Sequence, residues 1–279
     1  MKKIIIAAVL LGVAIFFCGY SNYQDDPGDL TGTLSRLDDL DKSIYRVAVP
    51  MGGQAMRAGE AQFTKARLCY FRNPDVAFQS VIQRKVDGFL FNSHSADYQA
   101  SQYPDITVLP GCMDRVKIVM ALPKRNADMR SEINRFINLC RQDGTYKDMY
   151  KRWFKSSRLG GMPYIEAPKS PKRHLVVGTC SQVRPLCFLV GEELRGFDIE
   201  YAQRLAAYLN ASITFMDMNY YDLKEAVRQG KVDLAIAGIN ADENQDPDIV
   251  FSKDYIDSYV VAAVSTELVR KKPHTRKNR

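Results

Sequence analysis

Histidine is scarce in this chain, with three among 279 residues, and no two of its six cysteines form a C-x-x-C pair. Those two shortages exclude the usual zinc spacings and leave neither a Ser/His/Asp nor a Cys/His arrangement to propose. No metal or cofactor is expected. Basic residues are not interleaved with aromatics as on a nucleic-acid surface, so no nucleic-acid partner is expected either. The apolar run at residues 4–17 falls short of the roughly 20 residues that a spanning helix needs, though Cys18 and Gly19 could extend it.

What is present begins with that run. Lys2 and Lys3 precede it, the pattern of a secretory signal or a short signal anchor, and residues 1–18 are set apart as such. Cys18 stands where a bacterial lipoprotein is acylated, but Ile15, Phe16 and Phe17 before it replace the small residues expected there. Lipid attachment, simple cleavage and an uncleaved anchor therefore all stay open. Each places the protein in the periplasm or at the cell surface, with the N-terminus as a membrane tether. The net charge of +7 is partly gathered in the tail 269–279, read either as a solvated end or as a contact for anionic headgroups. Helical spacing after Ile133, Phe136 and Ile137 marks Cys140 as a buried apolar residue, and a strand-like context does the same for Cys69. Cys180 and Cys187 are the attractive disulfide candidates for an oxidising compartment.

The chain repeats itself. Gln83-Arg84-Lys85-Val86-Asp87-Gly88 matches Gln229-Gly230-Lys231-Val232-Asp233-Leu234, and each copy opens an apolar run of strand length. Two further strands are predicted before each, at 45–49 and 66–71 and again at 175–179 and 212–216. Helical stretches separate them. The clearest is 198–209, with Asp198 as its expected N-cap and Ile199, Ala202, Leu205, Ala206 and Leu209 on one stripe. Each copy thus reads β-α-β-α-β, which implies α/β lobes with parallel strands. Ligands bind beyond the carboxyl ends of such strands, so the residues after Val49, Phe91, Thr179, Met216 and Gly238 should line a cleft. Residues 116–123 read as a crossing strand, followed by helices at about 127–141 and 146–155 broken at Gly144. Residues 158–173 form a linker by composition.

Several motifs carry a family resemblance. They are Asp143-Gly144-Thr145-Tyr146-Lys147, Tyr150-Lys151-Arg152-Trp153-Phe154, His174-Leu175-Val176-Val177-Gly178-Thr179, Gly196-Phe197-Asp198-Ile199 and the run 230–238. Together they resemble the extracellular solute-binding proteins of family 3, the polar amino-acid receptors of ABC importers. The first two resemble that family's end and the others its beginning, so the halves stand in reversed order. The resemblance implies a type II periplasmic-binding-protein-like fold, two α/β lobes with a cleft between them, in circularly permuted order. The family's C-terminal half would occupy 28–118, with a hinge strand and terminal helices at 119–157. The linker would follow at 158–173, and the family's N-terminal half at 174–268. Residues 259–264 would supply the second hinge strand. A competing account is two half-receptors completed by exchange between chains; a signal segment placed directly before the permuted order favours a single unit and a monomer, with a domain-swapped dimer still open.

The resemblance also marks what the cleft lacks. The family grips a zwitterion with an arginine and a carboxylate; here Gln245 stands at the arginine's place, Asn92 at the aspartate's, and Asn240 at a threonine or serine. Losing both charged partners together is coherent, since either alone would be poorly compensated in a closing cleft. Tyr220 matches a ligand-stacking aromatic, or packs on its lobe. Arg184 lies next to the position of another, now Val183, and is either a substitute carboxylate grip or a solvated loop charge. Gly53 and Gln54 open a helix where backbone N–H groups can meet an anion. Gly238 and Cys180 complete the candidate ligand-binding set, and Trp153 reads as helix packing. The expectation is an exported receptor, not an enzyme, for a small polar molecule other than a standard free amino acid. Its partner would be an ABC permease. The alternatives are a sensing or peptidoglycan-fragment-binding module and a dehydratase-like enzyme.

Overall fold

The structure is a computed structural model, and it describes residues 32–155, 161–241 and 246–269. The signal segment, Cys18, Gln245 and the basic tail lie outside the described residues. The first half runs β1 (Arg46–Pro50), α1 (Gly53–Gln62), β2 (Arg67–Phe71), α2 (Pro74–Ile82), β3 (Gly88–Asn92), α3 (Ser93–Gln102) and β4 (Ile106–Val108). The chain then crosses through β5 (Arg115–Ile118) and β6 (Ala121–Pro123) to α4 (Met129–Gln142) and α5 (Thr145–Phe154). The second half holds β7 (Arg173–Thr179), a small antiparallel sheet of β8 (Gln182–Val183), β9 (Cys187–Val190) and β10 (Glu193–Arg195), and α6 (Phe197–Tyr208). It continues with β11 (Ala211–Asp217), α7 (Leu223–Arg228), β12 (Leu234–Ala235) and β13 (Ile249–Phe251), then β14 (Ile256–Ser265) and α8 (Thr266–Val269).

Two larger sheets share one plan. In the first the order is β2-β1-β3-β14-β4, with β1, β2 and β3 parallel and β14 antiparallel to β3. In the second it is β11-β7-β12-β6-β13, with β7, β11 and β12 parallel and β6 antiparallel to β12. Each sheet therefore takes its fourth strand from the other half of the chain. The two crossing segments run side by side, β5 pairing with β14 from Ile118↔Ile256 to Arg115↔Tyr259. Sequence patterning implies one continuous first crossing strand, but it is interrupted at Val119 and Met120. There Val119 N–H bonds the Ile239 carbonyl (2.8 Å) and Met120 N–H bonds Ser252 Oγ (2.9 Å), because the chain changes sheets at that point.

The repeat has a physical role in both lobes. Asp87 Oδ2 accepts from Arg46 N at the start of β1 (2.7 Å), and Asp233 Oδ2 accepts from Val176 N in β7 (2.9 Å). Each aspartate N–H returns a bond to the carbonyl of that same residue, at 2.7 Å and 2.8 Å. The residue three before each aspartate, Arg84 or Gly230, is left-handed at φ 59 and φ 66. Charge-assisted hydrogen bonds of this kind pin the third strand to the first in each lobe.

Helices α4 and α5 pack on the second lobe. Gly144, left-handed between them, ends the first as its composition predicts. Trp153 is buried, and its indole N–H donates to Glu200 (2.8 Å), so it is packing, as read from sequence. Asp198 corrects the expectation of a cap. The chain enters α6 through Gly196 (φ +132), where a Cβ would stand 2.2 Å from the Leu186 carbonyl oxygen. The turn is set there, Gly196 takes the N-cap position, and Asp198 points inward. Cys69, Cys140, Cys180 and Cys187 are buried free thiols and Cys112 an exposed one. Among the described residues no helix is long and apolar enough to cross a membrane.

Candidate functional site

The carboxyl ends of the parallel strands in both sheets face one another across a cavity of ≈ 20 Å³, space for about one water molecule. Its first wall comes from Pro50, Gly52, Ala55, Phe91 and Asn92, its second from Tyr220, Gly238 and Asn240. Val116 and Val260, from the paired crossing strands, close it from the side. Asn92 and Gly238 hold equivalent places in the repeat, each five residues after its aspartate. Among the described residues the lining carries no charged side chain.

Of the residues expected from sequence, Tyr220, Gly238, Asn240 and Asn92 come together on this cavity. Asn92 caps α3, its Oδ1 accepting from Ser95 N (2.9 Å). Asn240 is held where its segment bridges Ile118, and its side-chain Oδ1 is buried with no hydrogen-bond partner among the described residues. A buried acceptor left unpaired costs about 1–3 kcal/mol, so the site favours a donor that reaches it. Tyr220 Oη lies 3.4 Å from the Gly238 carbonyl. Gly53 sits against this group from the other lobe: a Cβ there would be 3.3 Å from Asn240 Nδ2 and 3.7 Å from Tyr220 Oη. With φ +81 it also holds a conformation that side chains disfavour, which accounts for a glycine at this position.

Three expected residues stand elsewhere. Gln54 donates from Nε2 to Asp114 (2.7 Å) and accepts from Arg57 (2.9 Å), which turns its side chain toward the start of the crossing strand. Arg184 stacks over Phe188 (5.1 Å) and faces Asp75 at the start of α2. It is outside the cavity lining and part of a lobe–lobe contact. Cys180 is fully buried behind the lining, where desolvation raises its thiol to about 11 and keeps it protonated.

Sequence reasoning missed the contacts that join the lobes around the cavity. Arg72, after β2, lies 5.4 Å over the ring of Tyr221. His94, the second residue of α3, meets Ser258 of β14 through Nδ1 (3.2 Å) and Tyr150 of α5 through Nε2 (3.2 Å). Its ring also lies 4.5 Å from that of Phe154. Burial, aided by the Lys155 ammonium, lowers this imidazole to about 4, so it is neutral at ordinary pH. Behind the second wall, Asp198 Oδ2 accepts from Gly238 N (2.9 Å) and Oδ1 from Tyr255 Oη (2.9 Å). Burial pushes this carboxyl up to about 7 against those two hydrogen bonds. No sequence period marks such contacts, because they join elements far apart in the chain.

Known proteins bear on this arrangement. Residues 175–276 match the model of the bacterial extracellular solute-binding proteins, family 3. The arginine-binding extracellular protein ArtP of Bacillus subtilis is 30% identical over 87 residues, 31% of this chain and 34% of that protein. A probable histidine-binding protein of Campylobacter jejuni is 27% identical over 81 residues, 29% of this chain and 32% of that one. The chain thus matches about one third of the length of these curated relatives. Among solved structures, the ligand-binding component of an ABC-type import system from Staphylococcus aureus gives a TM-score of 0.42 at 10% identity, covering 81% of this chain and 67% of that one. With two lobes of one plan meeting at a polar cavity, the sequence of this chain resembles the bacterial extracellular solute-binding proteins of family 3, whose match runs over residues 175–276.

Proposed function

We propose that this is an exported solute-binding receptor in which the two halves of a family 3 protein follow each other in permuted order. It holds a small polar ligand between its lobes and serves an ABC importer, without catalysing a reaction. One observation supports the ligand class above the others: among the described residues the cavity is lined by Asn92, Asn240 and Tyr220 with no charged side chain. A zwitterion closed into it would leave both its charges unpaired, at a cost of several kcal/mol. The cavity as it stands has space for about one water molecule, so the lobes would part to admit a ligand, and a neutral molecule with an N–H or O–H donor would then satisfy Asn240 Oδ1. Because the ligand would touch both lobes, it would stabilise the closed form by mass action.

The permuted order is supported by the ends of the described chain. Gly32 N–H bonds the Glu267 carbonyl (3.1 Å) and Leu34 N–H bonds that of Leu268 (3.0 Å), so the two stretches already adjoin. The N-terminal segment, whether a cleaved signal, an acylated Cys18 or an anchor, would deliver the protein to the outer face of its membrane. Calorimetry tests the ligand class. Arginine, histidine and glutamine should bind weakly or not at all, while small neutral amides and polyols are screened for a rise in melting temperature. Micromolar binding of any of those three amino acids would sink the ligand assignment.

A further inference from the structure

We propose that two contacts at the mouth of the cleft, Arg72 with Tyr221 and Arg184 with Asp75, form a latch that sets how often the lobes part. Strand order puts both contacts on the free side of the clamp. In the first sheet the crossing strand β14 is followed outward by β3, β1 and β2, and Arg72 and Asp75 come directly after β2. In the second sheet the crossing strand β6 is followed outward by β12, β7 and β11, and Tyr221 comes just after β11. Arg184 lies in the hairpin of β8 and β9 that follows β7, and α2, with Asp75 in its first turn, rests against β8. Three inter-strand spacings of about 4.8 Å set the mouth about 14 Å from the crossing strands, so a swing of about 20° would part it by about 5 Å. The attraction of a cation for a ring fades beyond about 6 Å. The Arg72 guanidinium, 5.4 Å from the Tyr221 ring centroid, would lose its partner in one such swing.

The second contact is held ready from both sides. The Arg184 guanidinium stacks over the buried ring of Phe188 (5.1 Å) in its own lobe. Asn73 Oδ1 accepts from Asp75 N (2.9 Å) and Val76 N (3.3 Å), which fixes the first turn of α2. Burial raises the Asp75 carboxyl, and the Arg184 guanidinium across the gap opposes that rise. The acidic neighbours in the second lobe are engaged within it: Asp217 takes Ser181 N (2.8 Å) and Oγ (2.6 Å), and Asp222 takes Asn219 Nδ2 (3.2 Å). Asp75 is therefore the carboxylate that the first lobe offers to Arg184. All four latch residues stand outside the cavity lining, so the contacts hold whatever lies between the walls. The latched cavity has space for about one water molecule, and passage of anything larger requires the mouth to open. A contact that must break on the way in and on the way out slows entry and release together. That consequence rests on the receptor reading of the cleft; the latch itself does not.

Double electron–electron resonance on the full chain tests the latch without any ligand. Nitroxides are placed at Gln79→Cys on α2 and Thr214→Cys on β11, both exposed positions, and Cys18→Ser and Cys112→Ser keep those thiols from the label. The parent should give one dominant distance, the separation found in the structure. An Arg184→Ala/Tyr221→Ala variant should add a longer distance and raise the ratio of open to closed molecules about tenfold, since each exposed contact contributes up to about fivefold. Tyr221→Phe, which keeps the ring face, should match the parent. Melting temperatures check that the variants fold. Should the alanine pair fail to fold, Arg72→Ala/Asp75→Asn on the other lobe should produce the same longer distance. A parent dominated by the longer distance would overturn the proposal, as would folded latch variants whose distances match the parent's. So would a Tyr221→Phe chain as open as the alanine pair. The ligand class can fail in calorimetry with the latch intact, and the latch can fail here with the ligand class intact.

Discussion

Asp198 and His94 are buried titratable groups with opposite displacements, and the pair makes a test at the scale of single residues. The carboxyl is raised to about 7 by burial, so its contribution to stability is full below the unfolded value near 3.8 and is lost as pH rises through 7. The imidazole is lowered to about 4, so its contribution is present above 6.5 and is lost as pH falls through 4. The effects amount to about 4 kcal/mol for the carboxyl and about 3 kcal/mol for the imidazole across their windows, and over pH 4–6.5 the two run in opposite directions. The Asp198→Asn variant should therefore show stability rising with pH through that range, and His94→Gln stability falling. Urea melts at half-unit steps check this, and parallel slopes in the two variants would refute it. Neither group could have been placed from sequence. Asn92, Gly238 and Asn240 could, because strand direction alone sends them to the cleft. The directions of the Gln54, Arg184 and Cys180 side chains were not legible, since Asp114, Phe188 and the lobe core set them.

At the scale of elements, the second lobe hangs on one carboxylate. Glu200 of α6 is fully buried and takes both guanidinium nitrogens of Arg152 (2.8 Å each), the Trp153 indole (2.8 Å) and Arg204 (2.9 Å). Burial opposes its ionisation, but the bonds from Arg152, Trp153 and Arg204 outweigh that and hold the carboxyl below the usual range. Replacing it with alanine should cost about 3 kcal/mol or more in chemical denaturation, because the two arginines lose their shared partner. An effect under about 1 kcal/mol would show that the cluster is solvated. The motif ending in Trp153 and the helix after Gly196 were both visible in sequence, but not that they share this residue. The repeat was legible as two β-α-β-α-β units because helical and strand periods alternate over long stretches. The sheet of β8, β9 and β10 was not. Strands of two to four residues are too short to show a period, and their antiparallel pairing is a tertiary fact.

For the whole molecule, the proposed permuted order predicts that the polypeptide has more than one workable opening. Residues 32–34 already lie against 267–268, while residues 161–172 connect α5 to β7 with no helix or strand and with Tyr164 90% exposed. A chain closed between Val269 and Gly32 by a short glycine-rich link and reopened near residue 160 should fold to the same two lobes. Its melting temperature should fall within a few degrees of the parent, since loop closure changes by only about 1 kcal/mol. Failure to fold in two link lengths would count against the single-unit reading. The adjoining stretches also bear on how the clamp, if tethered as proposed, would carry load. A pull on either end would enter the same corner of one lobe, from the C-terminal side through α8 at the first-sheet end of β14, and would be taken up there before reaching β5 or the Ile256–Tyr259 part of β14. The lobes could then swing about those two strands without working against the attachment, as a door moves when only its frame is fixed to the wall.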